Sequence, residues 1–452
     1  MEVGADQPLL EVRDLCTRFS VRGSFADRLR GREAGAVKAV DGVSLDLRRG
    51  EVLGLVGESG SGKTTLGRTL LGLADASDGS IRFEGREVTG LSERGFRPLR
   101  RKLQIVFQDP HASLNPAMTI GASVGDPLRF HGVATDRKQR ERLVAEALER
   151  VGLVPASQFV GKYPPDLSGG QKQRAVLARA IILRPDVLVA DEPVSMLDMS
   201  VRAKILELMI ALKEEFELTY IYITHDLATA KFFCDRIAIM YLGRIVEVGP
   251  AAQIYADPKH PYTESLLRAI PEPDPSRSVP RDVPRGEVPD AINPPLGCRF
   301  HPRCPRAFEV CGWESRDLRT LLETRWTQMP EPEYEREREV IGDLDELDEP
   351  SLEARLPVAS GRDPAVALEL LESMRADAPD DPLWRGVAEL GADAGGGRVR
   401  FNEAIDPRPV DVDGVRVECH LHDPDARAAA ERIAGARGAG DGDRGARDAP
   451  DA

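Results

Sequence analysis

Residues 57–64, with the sequence GESGSGKT, have the pattern of a phosphate-binding loop. They follow the apolar run VLGLV and open the helix-like run TTLGRTLLGL, which is the strand–loop–helix context that this motif requires. The glycines would let backbone N–H groups surround phosphate oxygens, Lys63 would reach the outer phosphates, and the Thr64 hydroxyl would ligate Mg2+. The alternative is a glycine-rich turn that binds no nucleotide. The predicted nucleotide-binding residues are Gly57, Glu58, Ser59, Gly60, Ser61, Gly62, Lys63, Thr64 and Thr65.

Two adjacent carboxylates, Asp191 and Glu192, end the apolar run VLVADE. A buried strand would deliver Asp191 beside Mg2+, and Glu192 could then polarise the attacking water as a general base. His225 after TYIYIT and Gln108 in IVFQDP also follow strand-like runs, and the strand ends of a parallel sheet converge on the ligand edge. We expect His225 to contact the γ-phosphate and Gln108 to position water or ligate Mg2+. The alternatives are loop carboxylates, a capping histidine and a polar loop glutamine.

A third motif, LSGGQ at residues 167–171, resembles the signature sequence of ABC ATPases, which P-loop enzymes in general lack. The resemblance implies that ATP is the nucleotide and that two cassettes pair head to tail. In that pairing the signature turn of each cassette closes on the ATP of its partner. The residues that would act in this way are Ser168, Gly169, Gly170 and Gln171.

The resemblance extends to other motifs in the same order and covers residues 8–270. It implies that Phe19 stacks on adenine, although the family more often has Tyr there. It matches Gln108 to the glutamine that links the nucleotide site to a membrane partner, and His225 to the switch histidine. Asp198 ends Ser-Met-Leu-Asp, where the family usually has Ser-Ala-Leu-Asp.

The segments HPYTESLLRAIPEPDP and GEVPDAINPPLGCRFHPRCPRAFEVC are similar to the C-terminal region of oligopeptide and dipeptide import ATPases. That similarity implies an ATPase coupled to transport at the cytoplasmic face of the membrane. Its partners would be two membrane permease subunits, a second ATPase subunit that is identical or a paralogue, and indirectly an extracytoplasmic solute-binding protein. The same motor could serve nickel or a sugar instead of peptides. A non-transport ABC ATPase is a further alternative, but the insertions or fused second cassette of such proteins are missing from the sequence.

Four cysteines form a candidate metal site: Cys298, Cys304, Cys311 and, after roughly a hundred further residues, Cys419. Four thiolates can bind an iron–sulfur cluster or zinc, and the paired Cys knuckles usual for structural zinc are missing. The family resemblance implies a 4Fe–4S cluster, with zinc or free thiols as alternatives and His301 as a replacement ligand. Two other cysteines, Cys16 and Cys234, are predicted to be small buried hydrophobic residues.

The elements that must position these residues predict an α/β fold. Strand-like apolar runs alternate with helix-like stretches through residues 8–270, which indicates a P-loop ABC cassette with a mostly parallel core sheet and a helical signature subdomain. Residues 271–325 begin with a proline-rich linker and contain the cysteine module. Residues 326–424 are an insertion that leads back to the fourth cysteine, Cys419. The first part of this insertion is strongly acidic and shows no clear core. Residues 425–452 are predicted to be a disordered tail.

The composition bounds the class of protein further. The chain has 452 residues and a formal net charge of -14, which argues against a nucleic-acid partner. The N-terminus lacks an apolar secretion signal, and no run approaches the roughly 20 apolar residues of a membrane helix. We therefore expect a peripheral protein that reaches the membrane through a partner chain.

Overall fold

The structure of the chain, a computed structural model, describes residues 7–21, 35–270 and 286–444, and the chain divides into two compact units. The first unit is Met1–Asp257 and the second is Pro258–Ala452. The division therefore falls before the predicted boundary at residue 270, because the helix Pro261–Arg268 belongs to the second unit. The predicted linker, residues 271–284, lies outside the described residues.

The strands of the first unit form two sheets. They are β1 (Leu10–Ser20), β2 (Ala36–Leu47), β3 (Val52–Val56), β4 (Asp78–Phe83), β5 (Arg86–Glu87), β6 (Leu103–Val106), β7 (Val187–Asp191), β8 (Thr219–Thr224), β9 (Arg236–Tyr241) and β10 (Arg244–Pro250). The core sheet runs β6-β7-β8-β3-β9-β10 and is parallel except at β10, as predicted. Every residue of β3, β7 and β8 is buried, as continuous apolar strands of a parallel sheet should be. The second sheet, β2-β1-β4-β5, is antiparallel.

The helices of the first unit begin with the one that follows the phosphate loop. They are α1 (Lys63–Leu70), α2 (Glu93–Phe96), α3 (Pro110–Ser113), α4 (Ile120–Phe130), α5 (Arg137–Arg150), α6 (Gly169–Ile181), α7 (Met199–Phe216), α8 (Leu227–Phe233) and α9 (Ala251–Ala256). Helices α4, α5 and α6 pack against one another, which gives the predicted helical subdomain with the signature turn at the start of α6.

The second unit combines helices with short strands. Its elements are α10 (Pro261–Arg268), α11 (Ser315–Gln328), α12 (Glu331–Val340), β11 (Glu353–Pro357), α13 (Ala365–Asp377), α14 (Leu383–Gly386), β12 (Val387–Asp393), β13 (Gly396–Phe401), β14 (Pro409–Val412), β15 (Val415–Glu418) and α15 (Pro424–Arg444). Strands β11-β13-β12 form an antiparallel sheet on which α13 packs. Strands β14 and β15 form a hairpin.

The acidic insertion has a core that includes its first part, where the sequence indicated none, and a helix at residues 365–377, which the amphipathic run DPAVALELLESMRA predicts. Leu347 and Leu356 are completely buried within the stretch that was expected to lack a core. Ala367, Leu371 and Met374 recur at helical spacing on α13 and are buried. A side chain at Gly397 of β13 would approach Leu371 to 2.9 Å, so the helix lies directly on the sheet. In the first part of the insertion, the many surface carboxylates hid the apolar pattern in the sequence.

The predicted disordered tail is wrong over most of its length, because residues 424–444 form helix α15. Alanine has the highest helix propensity, and the segment PDARAAAERIAG is rich in it. Ala426 and Ala430 are also buried in a small apolar cluster with Val310. Alanine-rich composition was interpreted as disorder, but here it supplies both helix propensity and a packing face.

Candidate nucleotide-binding site

The phosphate loop connects the end of β3 to the start of α1, where the motif predicted it. Two of its glycines are required by close backbone packing. A side chain at Gly57 would collide with the carbonyl of Met240, and one at Gly62, where φ is 102°, would collide with the carbonyl of Ala39. The loop is therefore held in a conformation that only glycine permits at these positions.

Lys63 lies folded into this loop. Its Nζ donates hydrogen bonds to the carbonyls of Gly57, at 2.8 Å, and Glu58, at 2.7 Å, and to Ser61 Oγ, at 3.3 Å. The residue is 5% exposed, and its burial lowers the pKa of the ammonium group. An anion bound in the loop would favour the charged form and offer the ammonium stronger acceptors than neutral carbonyls.

Thr64 and Asp191, the residues predicted to ligate Mg2+ from the phosphate loop and from the end of β7, contact each other. The Thr64 hydroxyl donates a hydrogen bond of 3.0 Å to Asp191 Oδ1, across the gap between α1 and the end of β7. Burial raises the pKa of Asp191, against the lowering effect of the Thr64 hydrogen bond. A buried carboxylate beside a hydroxyl is a suitable oxygen pair for Mg2+, because a nearby cation would offset the cost of burying the negative charge.

Glu192 lies between two polar side chains. Gln108 Nε2 donates a hydrogen bond of 2.9 Å to Glu192 Oε2, and His225 Nδ1 is 3.0 Å from Glu192 Oε1. Glu192 has a φ of 47°, which is costly for a residue with a side chain. This conformation follows directly after β7, and the backbone N–H of Glu192 is bonded to the carbonyl of Ile223 in β8. Gln108, Glu192 and His225, which are predicted to act in hydrolysis, are therefore brought together by the ends of the neighbouring strands β6, β7 and β8.

The signature turn forms the N-terminal cap of α6. Ser168 Oγ accepts from the N–H of Gln171 at 3.3 Å, and the Gln171 side chain accepts in return from the N–H of Ser168 at 3.0 Å. A side chain at Gly170 would approach Val201 of α7 to 2.7 Å, and one at Gly169 would lie 3.6 Å from Leu197. The turn thus packs against the start of α7.

Three further residues predicted to bind nucleotide remain: Asp198, Thr65 and Phe19. The first two make local hydrogen bonds that the motifs did not indicate. Asp198 caps α7 by accepting hydrogen bonds from the N–H of Val201, at 2.9 Å, and from the Ser200 hydroxyl, at 2.8 Å. These hydrogen bonds lower the pKa of the Asp198 carboxyl, and the one from Val201 contributes most. The Thr65 carbonyl accepts from the Thr69 hydroxyl within α1. Phe19, at the end of β1, is 47% exposed, so its ring is accessible to a ligand.

Asp226 was not identified from the sequence, yet it organises the turn that holds His225. Its carboxylate accepts from the N–H of Ala228 and so caps α8, and it lies 3.4 Å from Arg202. Its own N–H donates to the Thr224 hydroxyl at 3.0 Å. An Asp directly before the helical run LATAKFF is an N-cap signal that sequence reasoning could have used.

The second unit contains a separate cluster of potential ligands. All four predicted cysteines line one small cavity, together with the imidazoles of His260, His301 and His420. Burial raises the pKa of the Cys304 thiol to about 12 and raises the pKa of Cys311 and of Cys419 as well. Within the described part of the chain, no three His, Cys, Asp or Glu side chains are arranged to hold a metal ion as they stand. The cavity therefore collects the donors without closing them around one point.

His301 does not fit the replacement-ligand prediction, because both of its ring nitrogens already have partners. Nδ1 lies 2.8 Å from the Cys298 carbonyl, and Nε2 lies 3.0 Å from Asp317 Oδ2. The other two cysteines are buried as expected, with Cys16 in β1 and Cys234 after α8.

Two parts of the chain match models of known protein families. Residues 40–195 match the family model described as ABC transporter, and residues 246–311 match the one described as oligopeptide/dipeptide transporter, C-terminal region. A relative from Brucella ovis, described as a peptide import ATP-binding protein, is 45% identical over 70% of this chain and 95% of its own length. The oligopeptide transport ATP-binding protein AppF of Bacillus subtilis is 45% identical over 69% of this chain and 93% of its own.

The chain is also similar to a dimeric ATP-binding cassette solved in a post-hydrolysis state with ADP and Pi. The identity is 27%, the coverage is 54% of this chain and 98% of that chain, and the TM-score is 0.47. No helix within residues 7–21, 35–270 and 286–444 has the length and apolar character needed to cross a membrane.

The fold and the phosphate loop define an ABC-type ATPase. More narrowly, the chain belongs to the family of peptide-import and oligopeptide-transport ATP-binding proteins of ABC transporters.

Proposed function

We propose that this chain hydrolyses ATP to drive the import of oligopeptides or dipeptides through membrane permease subunits. One observation supports the ATPase activity above all others: Glu192 is held between Gln108 and His225 at the end of the strand that also carries Asp191. The peptide assignment is supported by the relatives, which are named as peptide import and oligopeptide transport proteins.

Binding of ATP would begin at the phosphate loop. The N–H groups at the start of α1 and the Lys63 ammonium would contact the phosphates, and Phe19 would stack on adenine. The other loop residues, Gly57 to Gly62, provide the cradle, with Thr65 beside it in α1. Thr64, Asp191 and Gln108 would hold Mg2+, which when bound neutralises phosphate charge. The Lys63 side chain must exchange loop carbonyls for phosphate oxygens in this step.

Hydrolysis would then use the carboxylate of Glu192. A water attacks the γ-phosphorus and passes its proton to Glu192, while the bond from the γ-phosphorus to the bridging oxygen breaks and ADP leaves with that electron pair. Gln108 and His225 keep the carboxylate in place through contacts of 2.9 Å and 3.0 Å. His225, 57% exposed at its side chain, is also accessible to the γ-phosphate.

The signature turn would act on a second ATPase subunit. Ser168, Gly169, Gly170 and Gln171 present the N-terminus of α6, a helix of 13 residues, which attracts anions. The turn packs beside Leu197 and Val201, which flank Asp198, and we expect the turn and Asp198 together to face the ATP of the partner cassette. Closure of that dimer would move two permease subunits at the cytoplasmic face of the membrane, and an extracytoplasmic solute-binding protein would deliver the peptide to them.

The cysteine cavity would hold a 4Fe–4S cluster. Burial raises the pKa of the thiols of Cys304, Cys311 and Cys419, and a cationic metal group would supply the positive charge that stabilises them as thiolates. His420 Nδ1 adds a buried nitrogen with no hydrogen-bond partner among the described residues. Four buried thiols and an unsatisfied nitrogen around one cavity are a donor set that fits such a group. Cys298 would complete the four thiolate ligands.

Peptide uptake by cells tests the proposed substrate. Removing this chain from its host should abolish uptake of labelled dipeptides and oligopeptides, and returning the parent chain, but not Glu192→Gln, should restore it. Uptake of nickel and of sugars serves as the control. Loss of nickel or sugar uptake with normal peptide uptake would contradict the peptide assignment and leave the ATPase assignment in place.

A further inference from the structure

The cysteine cavity is lined by two neighbouring donors from the same turn. Cys419 and His420 directly follow β15, and both line the cavity together with Cys298, Cys304 and Cys311. Both residues are almost completely buried, with Cys419 at 6% and His420 at 1% exposed. The cavity thus offers five donors where a 4Fe–4S cluster takes four.

The hydrogen bonding of His420 fixes which nitrogen is available. Nε2 lies 2.8 Å from the carbonyl of Ile405, which can only accept, so Nε2 carries the proton. Nδ1 therefore has a lone pair, and this buried atom finds no hydrogen-bond partner in the described structure. A neutral imidazole nitrogen with its other nitrogen bonded to a backbone carbonyl is the usual arrangement of a metal-binding histidine.

Three nearby histidines show that this arrangement is specific. His260 also lines the cavity, but its Nδ1 accepts from the N–H of Tyr262 at 3.0 Å, so the neutral ring carries its proton on Nε2 and offers no lone pair to a metal. His301 also lines the cavity, but both of its nitrogens are engaged, by Cys298 and Asp317. His422 donates Nε2 to the carbonyl of Lys259 at 2.9 Å, much as His420 does to Ile405, but it is outside the cavity lining. Of these four histidines, only His420 combines a place in the lining with a nitrogen whose lone pair has no hydrogen-bond partner in the described structure.

We propose that His420, through Nδ1, is an alternative protein ligand for the cluster position of Cys419. The adjacent donors lie on one turn, so a small adjustment of that turn exchanges sulfur for nitrogen. The cluster is therefore retained when the Cys419 thiol is lost. This inference rests on the proposed cluster in the same cavity and adds a ligand to it.

The exchange has a spectroscopic consequence. Replacing a thiolate by a neutral histidine removes one negative charge from the ligand set, and histidine ligation raises the reduction potential of iron–sulfur centres. A cluster bound by three cysteines and His420 should therefore be reduced at a higher potential than one bound by four cysteines. It should also show magnetic coupling to a nitrogen nucleus in pulsed EPR of the reduced form.

The test uses the full chain, loaded with ferrous iron and sulfide without oxygen, in four matched forms. The parent and Cys419→Ala should both bind iron, and Cys419→Ala should show the nitrogen coupling and the higher potential. Cys419→Ala/His420→Ala should lose its iron. The matched control, Cys419→Ala/His422→Ala, should behave like Cys419→Ala, because His422 lies outside the cavity lining.

Other outcomes overturn the inference in distinguishable ways. If the parent binds iron but Cys419→Ala loses it, or keeps it without nitrogen coupling, His420 is not a ligand although the cluster exists. If Cys419→Ala/His420→Ala and Cys419→Ala/His422→Ala bind the same amount of iron, His420 is likewise not a ligand. If the parent itself binds no iron, both the cluster and its alternative ligand are wrong, while the ATPase assignment is unaffected.

Discussion

The nucleotide site and the cysteine cavity differ in whether their functional side chains already have hydrogen-bond or ion-pair partners before a ligand binds. At the nucleotide site the charged groups already have partners: Lys63 bonds loop carbonyls, and Glu192 contacts Gln108 and His225. In the cavity, burial keeps thiols such as Cys304 neutral, and His420 Nδ1 has no partner among the described residues. The first site is organised in advance for its ligand, whereas the second would be completed only by a metal group.

The two sites also differ in how the chain reaches them. The nucleotide site is assembled from short motifs at the ends of neighbouring strands, whereas the folded insertion separates Cys419 from the other three cysteines of the cavity. The core of that insertion should therefore matter for the second site and not for the first.

The largest expected effect in this comparison comes from Leu371→Ala, which removes a completely buried side chain between α13 and β13. We expect a loss of about 2–5 kcal/mol in the free energy of unfolding of the second unit, measured by denaturant titration. Iron binding in the cavity should weaken as well. The exposed neighbour Glu372→Ala is the control and should change stability by less than about 0.5 kcal/mol. Equal unfolding midpoints for the two variants would show that the insertion core does not stabilise this unit.

The next effect concerns the nucleotide site. Lys63→Ala removes the cation of the phosphate loop, and hydrogen bonds to charged groups contribute about 1.5–3 kcal/mol. ATP affinity, measured by calorimetry, should therefore fall on the order of 10- to 100-fold. Lys204→Ala, at an exposed position of α7, is the matched control and should bind ATP normally. Unchanged affinity in Lys63→Ala would mean that the loop does not hold phosphates through this side chain.

The smallest effect separates two roles of the signature turn. Ser168→Ala removes the cap of α6 and should cost about 1 kcal/mol in the unfolding of the first unit. Ser168→Asn keeps a capping side chain and should retain most of that stability. If Ser168 also acts on the ATP of a partner cassette, both variants should lose ATPase activity. Full activity in the stable Asn variant would restrict Ser168 to capping.

The sequence predicted the first unit well because its signals are local. A glycine loop after an apolar run, two acids at a strand end and an LSGGQ turn each lie within a few residues, and parallel strands bring such ends together. What the sequence could not give is the contact of Glu192 with Gln108 and His225, which depends on strand order and on the positive φ of Glu192.

The second unit was harder to predict because its signals are distributed. The amphipathic pattern of Ala367 and Leu371 predicts the helix that the structure has there, but Leu347 and Leu356 lie in the acidic segment before it, where the sequence indicated no core. The helix at residues 424–444 is stabilised in part by contact with Val310, more than a hundred residues earlier. The free nitrogen of His420 depends on Ile405, which no spacing rule connects to it.

The most direct test of the central proposal is Mg2+-dependent phosphate release from ATP by the purified parent chain and by Glu192→Gln. Loss of a general base should reduce turnover by about 10²- to 10⁴-fold, while ATP affinity stays close to that of the parent. Glu207→Gln, an exposed glutamate of α7, should leave turnover unchanged. Near-normal turnover in Glu192→Gln would contradict the assignment of this carboxylate as the base of an ATP-hydrolysing motor.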